Sequence, residues 1–142
     1  MGQQRLIFLE RFGNYVLSNN MGIRPDPSTL VGTLVAKRLA QAHPAALTNT
    51  TVYTSPASAT IVIQNILMCN TTGADINARV YLVPNGGTPG LEDALFYDYV
   101  VPANTTWNKN LWAVMDTAND DIVVWVSAQG VTFTISGGEV VS

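Results

Sequence analysis

Thr60-Ile61-Val62-Ile63-Gln64-Asn65-Ile66-Leu67-Met68-Cys69-Asn70 decides the fold. Ile61 and Ile63 share one face of an extended chain, and Ile66 and Met68 share one at the opposite parity. Side chains of a strand alternate strictly, so the two pairs are out of phase. The Gln64-Asn65 pair between them reads as a β-bulge that returns the second half to the inward face.

Downstream, Thr71 to Asp75 is a turn, and Ile76 to Val83 alternates cleanly. Ala78, Val80 and Leu82 are expected to face in, with Arg79 and Tyr81 facing out. Pro84 to Gly90 is too rich in Pro, Gly and Asn to join a core. A phosphate loop at Asn85-Gly86-Gly87 lacks the following lysine and helix. In Leu95 to Val101, Asp98 suggests that its own face is outward, which sends Tyr97, Tyr99 and Val101 inward. From Trp107 to Met115, Leu111, Ala113 and Met115 oppose Trp112 and Val114. Ile122 to Ser127 and Val131 to Ile135 read as paired strands joined at Gln129-Gly130, with Glu139 to Val141 extending the final edge. Upstream, Val52 to Thr54 is a short strand stopped by Pro56.

About seven or eight short strands cut by turn residues make an all-β fold. It is expected as a two-sheet antiparallel β-sandwich, jelly-roll-like, with an extended N-terminal arm. The sandwich is placed at residues 49–142. Residues 1–48 are read as the arm, with a short helix over Thr29–Ala42 or a strand over Leu30–Val35. Leu6, Phe8, Phe12, Tyr15 and Leu17 are interface candidates, because a segment with such scattered apolar residues needs a surface to cover them, either another subunit or its own sandwich.

Composition narrows the function. Of the 142 residues, 47% are hydrophobic and only 12% charged, against about 25% charged in ordinary domains. Thr, Asn, Ser and Gln must supply the polar surface, which suits extensive contacts between subunits. The formal net charge is -3. Every Lys and Arg except Arg79 and Lys109 precedes Leu39, so the sandwich has no basic groove for nucleic acid. No apolar run reaches membrane-span length. Glu10 and Arg11 interrupt Leu6–Leu9 too early for a signal peptide, and synthesis in the cytoplasm is expected. Cys69, the only cysteine, reads as a buried thiol.

Candidate chemistry is sparse. His43 is the only histidine and lies in a linker before Pro44. Asp116, Asp120 and Asp121 crowd one loop without the spacing of a calcium loop, and solvated turn residues are the default. A Glu10–Asp98 carboxylate pair would need a coincidence of folding. No catalytic, cofactor or metal site is assigned, and the chain is not read as an enzyme. Tyr81, Trp107, Trp112 and Trp125 are the more informative set, as core residues, subunit contacts or a ligand platform.

Several segments in order carry a resemblance. They are Lys37-Arg38-Leu39-Ala40-Gln41, Pro44-Ala45-Ala46, Val52 to Ala57, Ile66 to Thr72, Val80 to Pro84, Leu95 to Asp98, and Ser127 to Phe133. Across residues 37–140 the chain resembles small β-sandwich virion proteins of tailed bacteriophages. That resemblance implies a structural role on the particle, in head decoration or cement, or in the tail, neck, baseplate or fibre. It also implies the major capsid protein or other virion proteins as partners and a homo-oligomer, with a trimer suiting a three-fold site. A virion location after synthesis in a bacterial host is expected. A host-surface glycan-binding role would require an exposed aromatic shelf beside a polar groove.

Overall fold

A computed structural model describes residues 11–12, 15–18, 22–25 and 33–141. The chain divides into two compact units, Met1–Thr33 and Leu34–Ser142. In the first, β1 (Arg11–Phe12), β2 (Tyr15–Ser18) and β3 (Gly22–Pro25) form a small antiparallel sheet in the order β1-β2-β3.

The second unit holds β4 (Thr33–Ala42), β5 (Thr50–Thr54), β6 (Ala59–Asn70), β7 (Ile76–Val83), β8 (Ala94–Val101), β9 (Thr105–Met115), β10 (Asp121–Val126) and β11 (Val131–Val141). A short 3-10 turn, Leu91–Asp93, precedes β8. Two antiparallel sheets run in the orders β4-β11-β6-β9 and β5-β10-β7-β8. The pairing nests from outside inward: β4 with β11, β5 with β10, β6 with β9, β7 with β8. Wrapping such a nested ribbon once around a common core gives the two Greek keys of a jelly roll. Only the β7–β8 connection stays within one sheet; the others pass from sheet to sheet.

The bulge read from the sequence is present. Ile63 pairs with Gly137, and Asn65 pairs with Ser136, leaving Gln64 as the extra residue. Ile61, Ile63, Ile66 and Met68 are consequently all fully buried. They meet Phe133, Ile135 and Val131 of β11, Met115 of β9, and Ile76, Val80, Ile122 and Val124 of the facing sheet. Each large apolar side chain fully removed from water contributes about 1.5–3 kcal/mol.

Four readings change. Of the two readings of the stretch before Pro44, the strand holds and the helix does not, and the strand runs past Val35 to Ala42. Thr33 and Val35 favour an extended chain, and the strand carries Leu39 and Ala40 into the core, so the sheet starts upstream of residue 49. β10 and β11 are not paired: β10 lies between β5 and β7, and β11 between β4 and β6. The connection at Gln129-Gly130 is short enough to resemble a hairpin but crosses between sheets. β11 runs unbroken through Gly137-Gly138 inside its sheet instead of along an edge. Cys69 is half-buried on the outward side of β6, because its neighbours Met68 and Asn70 point in.

Candidate functional site

The outward side of the β5-β10-β7-β8 sheet is not a plain solvated surface. Alternation along β7 and β10 sends Arg79, Tyr81, Val83, Val123 and Trp125 to this side. Tyr81, Val83 and Val123 are buried there, and Ala94 and Trp125 pack against them. The β7–β8 segment folds back over this small apolar layer, bringing Pro89, Gly90 and Leu91 beside Tyr81.

Arg79 is the centre of the arrangement. Trp125 lies directly across the β7–β10 ladder from it. On the other flank, Ala78 pairs with Tyr99 and Val80 pairs with Phe96, so Tyr97 and Asp98 together oppose Arg79. Asp98 takes this extra position at φ 50, in the left-handed region that Asp and Asn tolerate better than most residues. The guanidinium carbon sits 4.2 Å from the Tyr97 ring centroid and 4.1 Å from that of Trp125. Arg79 Nε donates to Asp98 Oδ1 at 2.5 Å. Tyr81 meets Tyr97 edge-on with centroids 6.4 Å apart. The Asp98 hydrogen bond, helped by Tyr81, raises the Arg79 pKa despite the opposing effect of burial. Arginine is in any case not deprotonated in proteins, so Arg79 is a fixed cation.

These groups line a depression of about 310 Å³, rimmed by Leu47, Asn49 and Leu91. Leu47, Leu91 and Tyr97 are exposed around it. The site offers guanidinium donors, an amide, a phenol and aromatic rings. It holds no histidine or cysteine, and Asp98, beside it, is bound to Arg79.

The outward side of the other sheet carries a second feature. Val62 pairs with Val114 on one side and with Gly138 on the other. A Cβ on Gly138 would point at Leu34 Cδ1, 2.6 Å away. Leu34, Gly138, Val62 and Val114 thus form one apolar row across four strands, with Trp112 two residues from Val114 along β9. Leu34 is 45% exposed, Val114 42% and Trp112 68%.

The aromatic candidates separate accordingly. Trp107 faces the core, 5.1 Å from Phe96 and 4.2 Å from Tyr99 between ring centroids. Tyr81 is buried on the outward layer, Trp125 is half-buried at the depression and Trp112 is exposed. Tyr97, expected inward, faces outward at 47% exposure. The bulge at Asp98 shifts the parity, so Phe96 and Tyr99 both pack on the core. Arg79 and Tyr97 were not among the candidates. The cross-strand match of Arg79 with Trp125 was invisible without the β7–β10 pairing. Among the arm candidates, Phe12 lies in β1, and Tyr15 and Leu17 lie in β2. Leu6 and Phe8 lie outside the described residues, as does Glu10.

Several other titratable residues among the described ones have structural roles or lie exposed. His43 is exposed after β4. Asp120, expected in a solvated turn, is buried, and its carboxylate accepts the Asn85 backbone N–H at 3.1 Å. Ser55 is buried beside it, accepting the Asp120 N–H and donating to the Thr117 carbonyl. Asp121 accepts from the Thr54 hydroxyl. These bonds tie the β9–β10 loop to the ends of β5 and β7. Among the described residues, no three His, Cys, Asp or Glu side chains converge as a metal site, and no helix is long and apolar enough to cross a membrane.

No protein family and no curated protein matches the chain. Among solved structures it is similar to a chain of infectious bursal disease virus, Gx strain. The TM-score there is 0.45 at 13% identity, covering 86% of this chain and 35% of that one. A VP2 subviral particle of the same virus gives a TM-score of 0.42 at 12% identity, covering 91% of this chain and 38% of that one. The T13 particle of that virus gives 0.45 at 9% identity, covering 91% and 36%. The chain spans little more than a third of the length of these chains. The distant likeness is to proteins of virus particles and not specifically to those of tailed bacteriophages. It is with infectious bursal disease virus, so the expected synthesis in a bacterial host is withdrawn.

Proposed function

We propose that this protein is a non-enzymatic structural component of a virus particle that cements or decorates the shell through subunit contacts. The observation that carries this reading is the exposed row of Leu34, Val114 and Trp112 on a sandwich whose surface is short of charge. Contiguous apolar side chains left in water mark interaction surfaces, and tryptophan is enriched where binding energy concentrates. The partner is a neighbouring shell subunit or a second copy of the chain, with a homotrimer as the closed form that matches a three-fold site. In this reading Leu6, Phe8, Phe12, Tyr15 and Leu17 anchor the arm on a neighbour, where many weak contacts gain from high effective concentration.

Quantitative mass spectrometry and imaging of purified particles test the role. A copy number comparable to that of the main shell subunit, spread over the surface, is expected. A few copies at one vertex would replace decoration with a tail or neck role. Replacing Trp112 and Val114 by Ser should leave the sandwich folded and sharply reduce incorporation. Deleting residues 1–27 should do the same, since Leu34–Ser142 is a compact unit by itself.

A further inference from the structure

We propose that the Leu111–Met115 half of β9 is a pairing edge for a second copy of this chain, joined antiparallel about a two-fold axis so that the two sheets become one. The proposal rests on the reading that the Trp112–Val114 end of the apolar row is covered, and names what covers it. Contacts that close a trimer would lie elsewhere on the chain.

Among the described residues, four strands end the two sheets of the sandwich: β4 and β9 in one, β5 and β8 in the other. A sheet edge presents unpaired N–H and C=O groups, and proteins blunt such edges with charge, bulges or short length. Three of the four are blunted in these ways. β4 carries Lys37 and Arg38 near its middle. β5 has only 5 residues. β8 shifts register twice against β7 and takes φ 50 at Asp98.

β9 has 11 residues, and its two halves differ. The first half is polar. Lys109 lies there, and Asn65 Nδ2 donates to Oδ1 of Asn108 at 2.5 Å and of Asn110 at 2.8 Å. The second half, Leu111-Trp112-Ala113-Val114-Met115, contains no charge, proline or glycine. Its register against β6 shifts once, between Asn110 and Ala113, and is regular from Ala113 to Met115. The alternation of a strand persists through the shift: Leu111 and Ala113 are half-buried and Met115 buried, while Trp112 and Val114 are exposed. A short apolar strand with one open edge is a template for another strand.

The side chains select the occupant and the register. Antiparallel self-pairing centred on Ala113 sets Trp112 opposite Val114 of the second copy, and Val114 opposite its Trp112. Aromatic and β-branched residues make favourable cross-strand pairs. Leu111 falls opposite Met115 on the core side. Centring on Trp112 would instead oppose Val114 to Asn110, and centring on Val114 would oppose Trp112 to Asp116. The Ala113 register also brings Lys109 within one position of Asp116 of the second copy, so the charges flanking the segment are opposite in sign. Such a contact is isologous, using the same patch on both copies, and it continues the row Leu34, Gly138, Val62 and Val114 into the neighbouring sheet.

The test is sedimentation equilibrium of the full chain from about 1 µM to about 1 mM, with amide hydrogen exchange measured at both ends of that range. A dimer should form as concentration rises, and amides within Leu111–Met115 should exchange more slowly in it. Val114→Lys and Trp112→Lys, both at exposed positions, should each weaken association about tenfold or more. Leu34→Lys, in the same row but on β4, should leave it unchanged. If a lysine variant misfolds, the exchange measurement on the unaltered chain still decides. A chain that stays monomeric up to about 1 mM would overturn the proposal. So would a dimer that leaves exchange in β9 unaltered, or one weakened as much by Leu34→Lys as by Val114→Lys, which would mean that whole faces pack rather than edges. A monomer whose Trp112 and Val114 variants still fail to enter particles strikes this contact and leaves the structural role standing. A β9 dimer whose variants enter particles normally does the reverse.

Discussion

Asp98 receives the Arg79 Nε–H across a β-bulge, and the same bulge lays Tyr97 over the guanidinium. Two requirements therefore meet at Asp98: a carboxylate, and a backbone at φ 50. They can be separated by substitution. Asp98→Asn keeps a residue that accepts this conformation and loses the charge. The Arg79 side chain is 23% exposed and that of Asp98 41%, so solvent screening limits the loss to about 0.5–1 kcal/mol. Asp98→Val also strains the backbone, adding about 1–2 kcal/mol. Urea denaturation should rank the unaltered chain above Asp98→Asn, and Asp98→Asn above Asp98→Val.

Asn70 is buried at the end of β6 with both ends of its amide engaged. Its Nδ2 donates to the carbonyls of Ala74 at 2.8 Å and Val101 at 2.9 Å. Its Oδ1 accepts from the Thr72 backbone N–H at 2.9 Å and from the Thr72 hydroxyl at 2.8 Å. It thereby ties the β6–β7 turn to the end of β8. Asn70→Ala leaves these groups without their partner and should cost about 2–4 kcal/mol, more than a single lost bond. Thermal or urea unfolding measures the loss.

Gly137 faces Ile63 where β6 bulges. A Cβ there would lie 1.8 Å from the Val62 carbonyl oxygen. No rotamer relieves a clash with backbone, so Gly137→Ala should cost about 3 kcal/mol, the upper part of the usual overpacking range. The same substitution at Gly73, where a Cβ meets nothing within 4 Å, should change stability little.

The two bulges explain how much could be read from the chain. At Gln64-Asn65 the apolar pairs on either side are out of phase, and two polar residues mark the break. The core face of β6 was therefore legible. Around Asp98, Phe96, Tyr97, Tyr99 and Val100 put aromatic or apolar groups at both parities, so periodicity carries no phase information. Treating Asp98 as an outward marker placed Tyr97 in the core, whereas Asp98 absorbs the extra residue itself. Its tolerance of the left-handed region was the available clue. The Arg79 site was illegible for a further reason: it is assembled from three strands, and only their pairing order brings Trp125 and Tyr97 to opposite sides of one arginine.

Strongly alkaline solution should loosen the side of the sandwich where β4, β11 and β5 come together. Lys37 of β4 is paired with Glu139 of β11. That hydrogen bond, followed by the charge of Glu139, raises the lysine above its ordinary 10.5. Tyr53 of β5 is raised above 10.0, first by burial and then by Glu139. In both cases the folded state holds its proton more tightly than the unfolded chain does. Each contribution is complete below the unfolded pKa and disappears as pH rises through the folded value. Stability should therefore be insensitive to these groups through neutral pH and fall above about pH 10. Tyr53→Phe removes the phenol and should flatten part of that fall, and Lys37→Met should remove the contribution of the ion pair. Unfolding midpoints measured from pH 8 to pH 11 at fixed salt check both. A decline of unchanged steepness in the double variant would place the alkaline sensitivity elsewhere in the chain.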